Sequence, residues 1–180
     1  MEPSNAAKII NALGFQAIWW SVALWREASV PWVVIALVIY FFFYPCANKS
    51  TELKWVLLWT SLGVLMEFAF LKFSIIGYKD HSAFVPLWMV CLWVAFSATL
   101  NQSLSGLIQS KLLSFVLGAM GGPLSYWAAY RLEALYFPVS AERSLLILGV
   151  GWGLFLLFVS ISRSFRKRKP GLRPVAPANR

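Results

Sequence analysis

Histidine, cysteine and charge are all scarce in this sequence, and each scarcity removes a class of function. There is one histidine among 180 residues, with two cysteines and seven acids. A metal centre needs several clustered His, Cys or carboxylate ligands, and His81 has only Asp80 beside it. No metal is expected, and His81 reads as a solvated loop residue. Cys46 ends one apolar run and Cys91 lies within another, so no disulfide framework can be drawn. No serine or cysteine has a histidine partner and no P-loop is present, so neither catalytic residues nor a cofactor is expected. Charged residues make up 13% of the chain, where a soluble domain has about 25%. That composition excludes disorder, a coiled coil and an ordinary cytosolic enzyme domain.

What is abundant is apolar: 59% of residues are hydrophobic, 17% are aromatic and the mean hydropathy is +0.68. A helix crossing a bilayer needs about 20 such residues in a row. Six segments approach this, at Ile9–Trp25, Ser29–Pro45, Leu53–Ile76, Val85–Leu107, Leu112–Leu132 and Arg143–Ser162. The runs are continuous rather than alternating, which favours helices over barrel strands. The expected fold is all-α, a polytopic transmembrane helical bundle of about six spans. The first span is expected to be retained rather than cleaved as a signal peptide, because no small-residue cleavage site precedes Arg26. Arg26-Glu27 marks a tight turn between the first two spans.

Counting Lys and Arg by side gives eleven on the side of the termini and five on the other. The positive-inside rule then puts both termini in the cytoplasm of a bacterial inner membrane. Seven of the eleven lie in the tail, residues 163–180, expected to be a disordered, proline-containing extension of the membrane domain at residues 1–162. Within the tail, Arg166, Lys167, Arg168 and Lys169 form a juxtamembrane run suited to anionic lipid, at about 1 kcal/mol per residue. With Phe165 as its one aromatic residue, the tail is a topology and lipid signal rather than a nucleic-acid site.

Polar residues inside the spans carry the functional information. Glu67 lies near the middle of the third span, with Thr60, Gly63 and Ser74 on its helical face. A carboxylate there costs several kcal/mol unless it is paired, hydrated or protonated. Ser97, Asn101 and Ser105 follow at i, i+4 and i+8 on the fourth span, a pattern that bonds across helices. In the fifth span, Gly118 and Gly122 offer a close-approach face, and Pro123 is expected to break the helix at Gly121-Gly122-Pro123. A carbonyl freed near Ala119 would then lie at the depth of Glu67. The glycine run at Gly149–Gly153 reads as helix packing.

Three stretches carry a family resemblance. They are Asn11-x3-Phe15-Gln16-x2-Trp19, the run from Pro86-Leu87-Trp88-Met89 to Asn101-x-Ser103-Leu104, and Gly118-Ala119-Met120-Gly121-Gly122-Pro123-Leu124-Ser125-Tyr126-x4-Arg131-Leu132. The chain resembles the bacterial inner-membrane proteins grouped as domain-of-unknown-function family 2878. Glu67 stands where that family usually has an aspartate, and Gln102 where a histidine often follows the asparagine. Ala129 and Glu133 replace what are usually glycines. Members are often encoded beside fatty-acyl-modifying enzymes, so the resemblance implies lipid or envelope work.

The expected site is therefore a mid-membrane polar pocket of Glu67, Asn101, Gly121, Gly122, Pro123, Tyr126 and Gln16, binding or passing a small amphipathic or lipid-like ligand. The alternative is a non-catalytic scaffold or subunit for a lipid- or envelope-modifying enzyme. Expected partners are membrane lipids and such an enzyme, with no nucleic acid.

Overall fold

The computed structural model describes residues 4–43, 48–79 and 83–168. Cys46, His81 and Lys169 lie outside these, as do the later residues of the tail. The described residues form six helices: α1 (Asn5–Trp25), α2 (Val30–Phe43), α3 (Lys49–Lys72), α4 (Leu87–Leu100), α5 (Lys111–Arg131) and α6 (Ala141–Arg168). Among them the one β-type contact is an isolated bridge between Gly77 and Tyr136. Helix starts follow the sequence. Ser4, Asn48 and Ser110 each accept a hydrogen bond from an amide in the first turn of α1, α3 and α5.

Four helical stretches are long and apolar enough to cross a membrane, namely Asn5–Phe43, Lys49–Lys72, Lys111–Arg131 and Ala141–Phe165, while Leu87–Leu100 is shorter. The first of these is not a single rod. Arg26 breaks it with φ 48°, and Asn11 Nδ2 donates to Tyr40 Oη at 3.0 Å although the two are 29 residues apart. In a continuous helix they would be separated by about 44 Å. A cysteine pair at Asn11 and Tyr40, placed in a chain without Cys46 and Cys91, should cross-link through a short bis-thiol reagent. Absence of the cross-linked form on a gel would exclude the reversal.

Hydrogen bonds sort the helix ends into two groups. At one end Asn11 accepts from Ser103 Oγ at 2.6 Å, Gln102 donates to Glu52 at 3.1 Å, and Arg163 Nη1 donates to the Leu100 carbonyl at 2.5 Å and to Asn101 Oδ1 at 3.2 Å. At the other end Arg26 donates to the Glu133 carbonyl, Lys79 pairs with the Glu133 carboxylate at 2.9 Å, and Ser144 Oγ donates to the Ile75 carbonyl. There Glu27 also accepts from the Leu87 amide, capping α4. The hydrogen bond from Lys79 holds the Glu133 carboxyl below its ordinary pKa. The six helices therefore alternate in direction.

α4 is the hub. Nine of its 14 residues are buried, and α1, α2 and α3 all pack on it. α5 and α6 form the other main seam, which closes on glycine. A Cβ on Gly118 would lie 2.3 Å from the Trp152 carbonyl oxygen, and one on Gly122 would lie 2.3 Å from the Trp152 indole. The outer surface exposes Ile10, Leu13, Ile35, Leu65, Leu124 and Leu146, an apolar face that suits lipid rather than water.

Three expectations are corrected. The fourth segment, expected over Val85–Leu107, is helical only to Leu100, and Asn101 is its C-cap. Ser97, Asn101 and Ser105 therefore do not share a helix face. Thr99 and Ser105 spend their hydroxyls on carbonyls three residues back, at 2.6 Å each, which favours turns over further helix. The break at Gly121-Gly122-Pro123 is also absent, since α5 runs through Pro123 without interruption. The carbonyl of Ala119, which the proline deprives of its amide partner, abuts α6 at Gly149, where a Cβ would lie 3.0 Å from that oxygen. Finally, α6 continues past Ser162 to Arg168, so the first part of the expected tail is helix, and Arg163 turns back to the end of α4. A cation there suits the negative end of the α4 dipole.

Candidate functional site

The site grows from one face of α3. Thr60, Gly63 and Glu67 recur at helical spacing and all three are buried against α4. Thr60 Oγ1 bonds Ser97 Oγ at 3.1 Å. Gly63 leaves room for the Trp93 ring, whose nearest carbon would lie 2.1 Å from any Cβ at that position. Ser74, expected on the same face, lies beyond the helix in a left-handed turn at φ 56°. Glu67 itself stands five residues before the end of α3 at Lys72, closer to that end than to the middle expected for it.

Glu67 has 0% exposure. One carboxylate oxygen accepts a hydrogen bond from Tyr78 and the other from Tyr126. Tyr126 is one turn beyond Gly122 on α5, so the glycine face and the tyrosine belong to one helix stripe. Tyr78 reaches the site because the chain turns back after α3. Gly77 pairs with Tyr136 through reciprocal backbone hydrogen bonds at 2.9 and 2.8 Å, and the Tyr78 ring packs edge-on against Trp88. The indole N–H groups of Trp93 and Trp152 are buried beside the cluster without completing a hydrogen bond. Trp93 is on the Glu67 side and Trp152 on the Tyr126 side. These two rings stack at 4.9 Å and 11°. No Lys, Arg or His side chain bonds Glu67 among the described residues.

An apolar cavity of about 300 Å³ lies against this cluster, between α1, α4 and α5. Phe15, Trp19, Leu92 and Phe96 form much of its wall, and Gly121, Gly122 and Ser125 line the α5 side. Trp93, Trp152 and Tyr126 line it too. Glu67 does not, so it is one tyrosine removed from the cavity. A second groove of about 650 Å³ separates α1 from α2 and carries Asn11 and Tyr40 on its wall.

The expected site residues divide accordingly. Glu67, Tyr126, Gly121 and Gly122 are brought together. Pro123 packs beside them toward Gly149. Asn101 is at the opposite end of α4, bonded to Arg163, and Gln16 is exposed on α1 away from the cavity. Glu67 bonds the two tyrosines, while the Ala119 carbonyl expected at its depth abuts Gly149. Tyr78, Trp93 and Trp152 were not expected in the site. Tyr78 carries no local sequence signal, whereas Trp93 falls within the family stretch that runs from Pro86 to Leu104. Trp152, set between Gly151 and Gly153, carries a signal as a bulky residue inside a glycine run. Arg166 and Lys167 lie on the last turns of α6 with Arg168, as the helix bounds give them.

The family described as "Protein of unknown function (DUF2878)" matches residues 8–158, and the chain belongs to that family. No curated protein and no solved structure matches it.

Proposed function

We propose that this family member is a multi-pass protein of the bacterial inner membrane that binds or passes a small amphipathic, lipid-like ligand in the cavity between α1, α4 and α5. In this reading the alternating helices make six crossings, the shorter α2 and α4 included, and both termini are cytoplasmic. The basic residues Arg166 to Lys169 then meet anionic headgroups. One observation carries the ligand reading: Tyr126 both lines the apolar cavity and donates to the buried Glu67. A chain entering from the lipid would thus touch a residue wired to Glu67, the one fully buried acid among the described residues. A cavity of this size is within the ordinary range for small-molecule sites, about 300–1,000 Å³.

The test fills the cavity without touching the carboxylate. Gly121 has open space around it, with nothing within 4 Å of a Cβ, so a larger residue there is not excluded by packing. Gly121→Leu should weaken binding of an uncharged pyrene-labelled fatty alcohol by tenfold or more, measured in detergent micelles. Equal binding by the two proteins would sink the reading. The scaffold alternative draws on a different observation, the complete burial of Glu67 behind its tyrosines. It predicts no specific probe binding and recovery of an acyl-modifying enzyme in pull-downs.

A further inference from the structure

We infer that the ligand carries a positively charged head, an alkylammonium or similar lipophilic cation, held at Tyr126 in front of Glu67. This rests on the ligand reading and adds the sign of the charge. Glu67 is an acid in an apolar interior whose hydrogen-bond partners are two neutral hydroxyls. No cationic side chain bonds it among the described residues. The cavity wall in front of it supplies no charge either: Ser125 and Tyr126 are its polar side chains besides the four indoles of Trp19, Trp88, Trp93 and Trp152. The site therefore has one acid and no basic side chain among the described residues.

The rest of the wall fits the same ligand. Phe15, Trp19, Trp88, Phe96 and Tyr126 present aromatic rings to the cavity. Aromatic rings attract a weakly hydrated cation through their quadrupoles, and the attraction rises when water is excluded. An anionic head would meet the Glu67 carboxylate in a region of low dielectric with nothing to offset the repulsion. A neutral head gains the apolar contacts but nothing from Glu67. A cation gains both. Its alkyl chain would run along α5 from Tyr126 toward Leu117, about 14 Å of apolar wall.

The experiment compares dodecyltrimethylammonium with dodecanol, each displacing an uncharged pyrene-labelled fatty alcohol from the full chain in maltoside micelles. The cation should bind at least tenfold more tightly than the alcohol. Glu67→Gln keeps an oxygen acceptor for one tyrosine, turns an amide N–H toward the other hydroxyl and removes the charge, so it should bring the two affinities to within about twofold. Equal affinities in the unmodified protein would overturn the charge assignment while leaving the cavity reading intact. A preference that survived in Glu67→Gln would also overturn it. Failure of both compounds to displace the probe would remove the cavity reading together with the inference. If Glu67→Gln does not fold, Gly121→Leu serves in its place, and undiminished cation binding there would overturn the inference.

Discussion

Gly118→Ala should destabilise the protein by about 3 kcal/mol, whereas Gly121→Ala, three residues along the same helix, should change stability little or raise it slightly. The two substitutions add the same methyl group. At Gly118 that methyl would lie 2.3 Å from the Trp152 carbonyl oxygen and 2.7 Å from its carbon. These are backbone atoms inside α6, so no rotamer change relieves the clash and the α5–α6 seam must separate. Overpacking of this kind costs about 1–3 kcal/mol and sometimes more. At Gly121 nothing lies within 4 Å, and replacing glycine by alanine within a helix gains up to about 1 kcal/mol. Equilibrium unfolding in mixed micelles with increasing dodecyl sulfate, followed by tryptophan fluorescence, measures both. Similar midpoints for the two variants would mean that α5 and α6 do not meet at these glycines.

The same seam shows which parts of the fold were legible in the sequence. Gly118 and Gly122 are spaced to make a close-approach face, and α6 uses it. Thr60, Gly63 and Glu67 are spaced to share a face, and α4 packs on it. Both inferences depend only on helical period, which a sequence carries. Pro123 misled because its local effect was weighed without its neighbour. The carbonyl it leaves free abuts Gly149, a residue 30 positions away from Ala119 with no sequence mark of the contact. The run Asn101–Ser105 misled for a similar reason. Its amides and hydroxyls end α4 and bond Asn11, Glu52 and Arg163, each at least 50 residues distant. Polar residues in an apolar run signal that partners exist, but not which ones. Tyr78 is the sharpest case. As a sequence position it is an aromatic residue at a span end, and only the Gly77–Tyr136 pairing turns it inward to Glu67.

Glu67→Ala should be the more damaging of two substitutions at the carboxylate, costing about 4 kcal/mol. It leaves the Tyr78 and Tyr126 hydroxyls buried without an acceptor, at about 1–3 kcal/mol each. Glu67→Gln keeps one oxygen acceptor and should cost about 1–2 kcal/mol. The informative variant removes all three polar groups together. Glu67→Leu with Tyr78→Phe and Tyr126→Phe strands neither a hydroxyl nor a carboxyl, and replacing a buried polar cluster by apolar residues is often neutral or stabilising. The triple variant should therefore unfold within about 1 kcal/mol of the unmodified protein in the same assay. A large loss in the triple variant would mean that the cluster is held for more than its own hydrogen bonds. A small one separates fold from function, because α3, α4 and α5 would then pack as well without the acid as with it. Lost ligand binding in such a well-folded protein would locate the role of the Glu67–tyrosine cluster in recognition rather than in assembly of the helices.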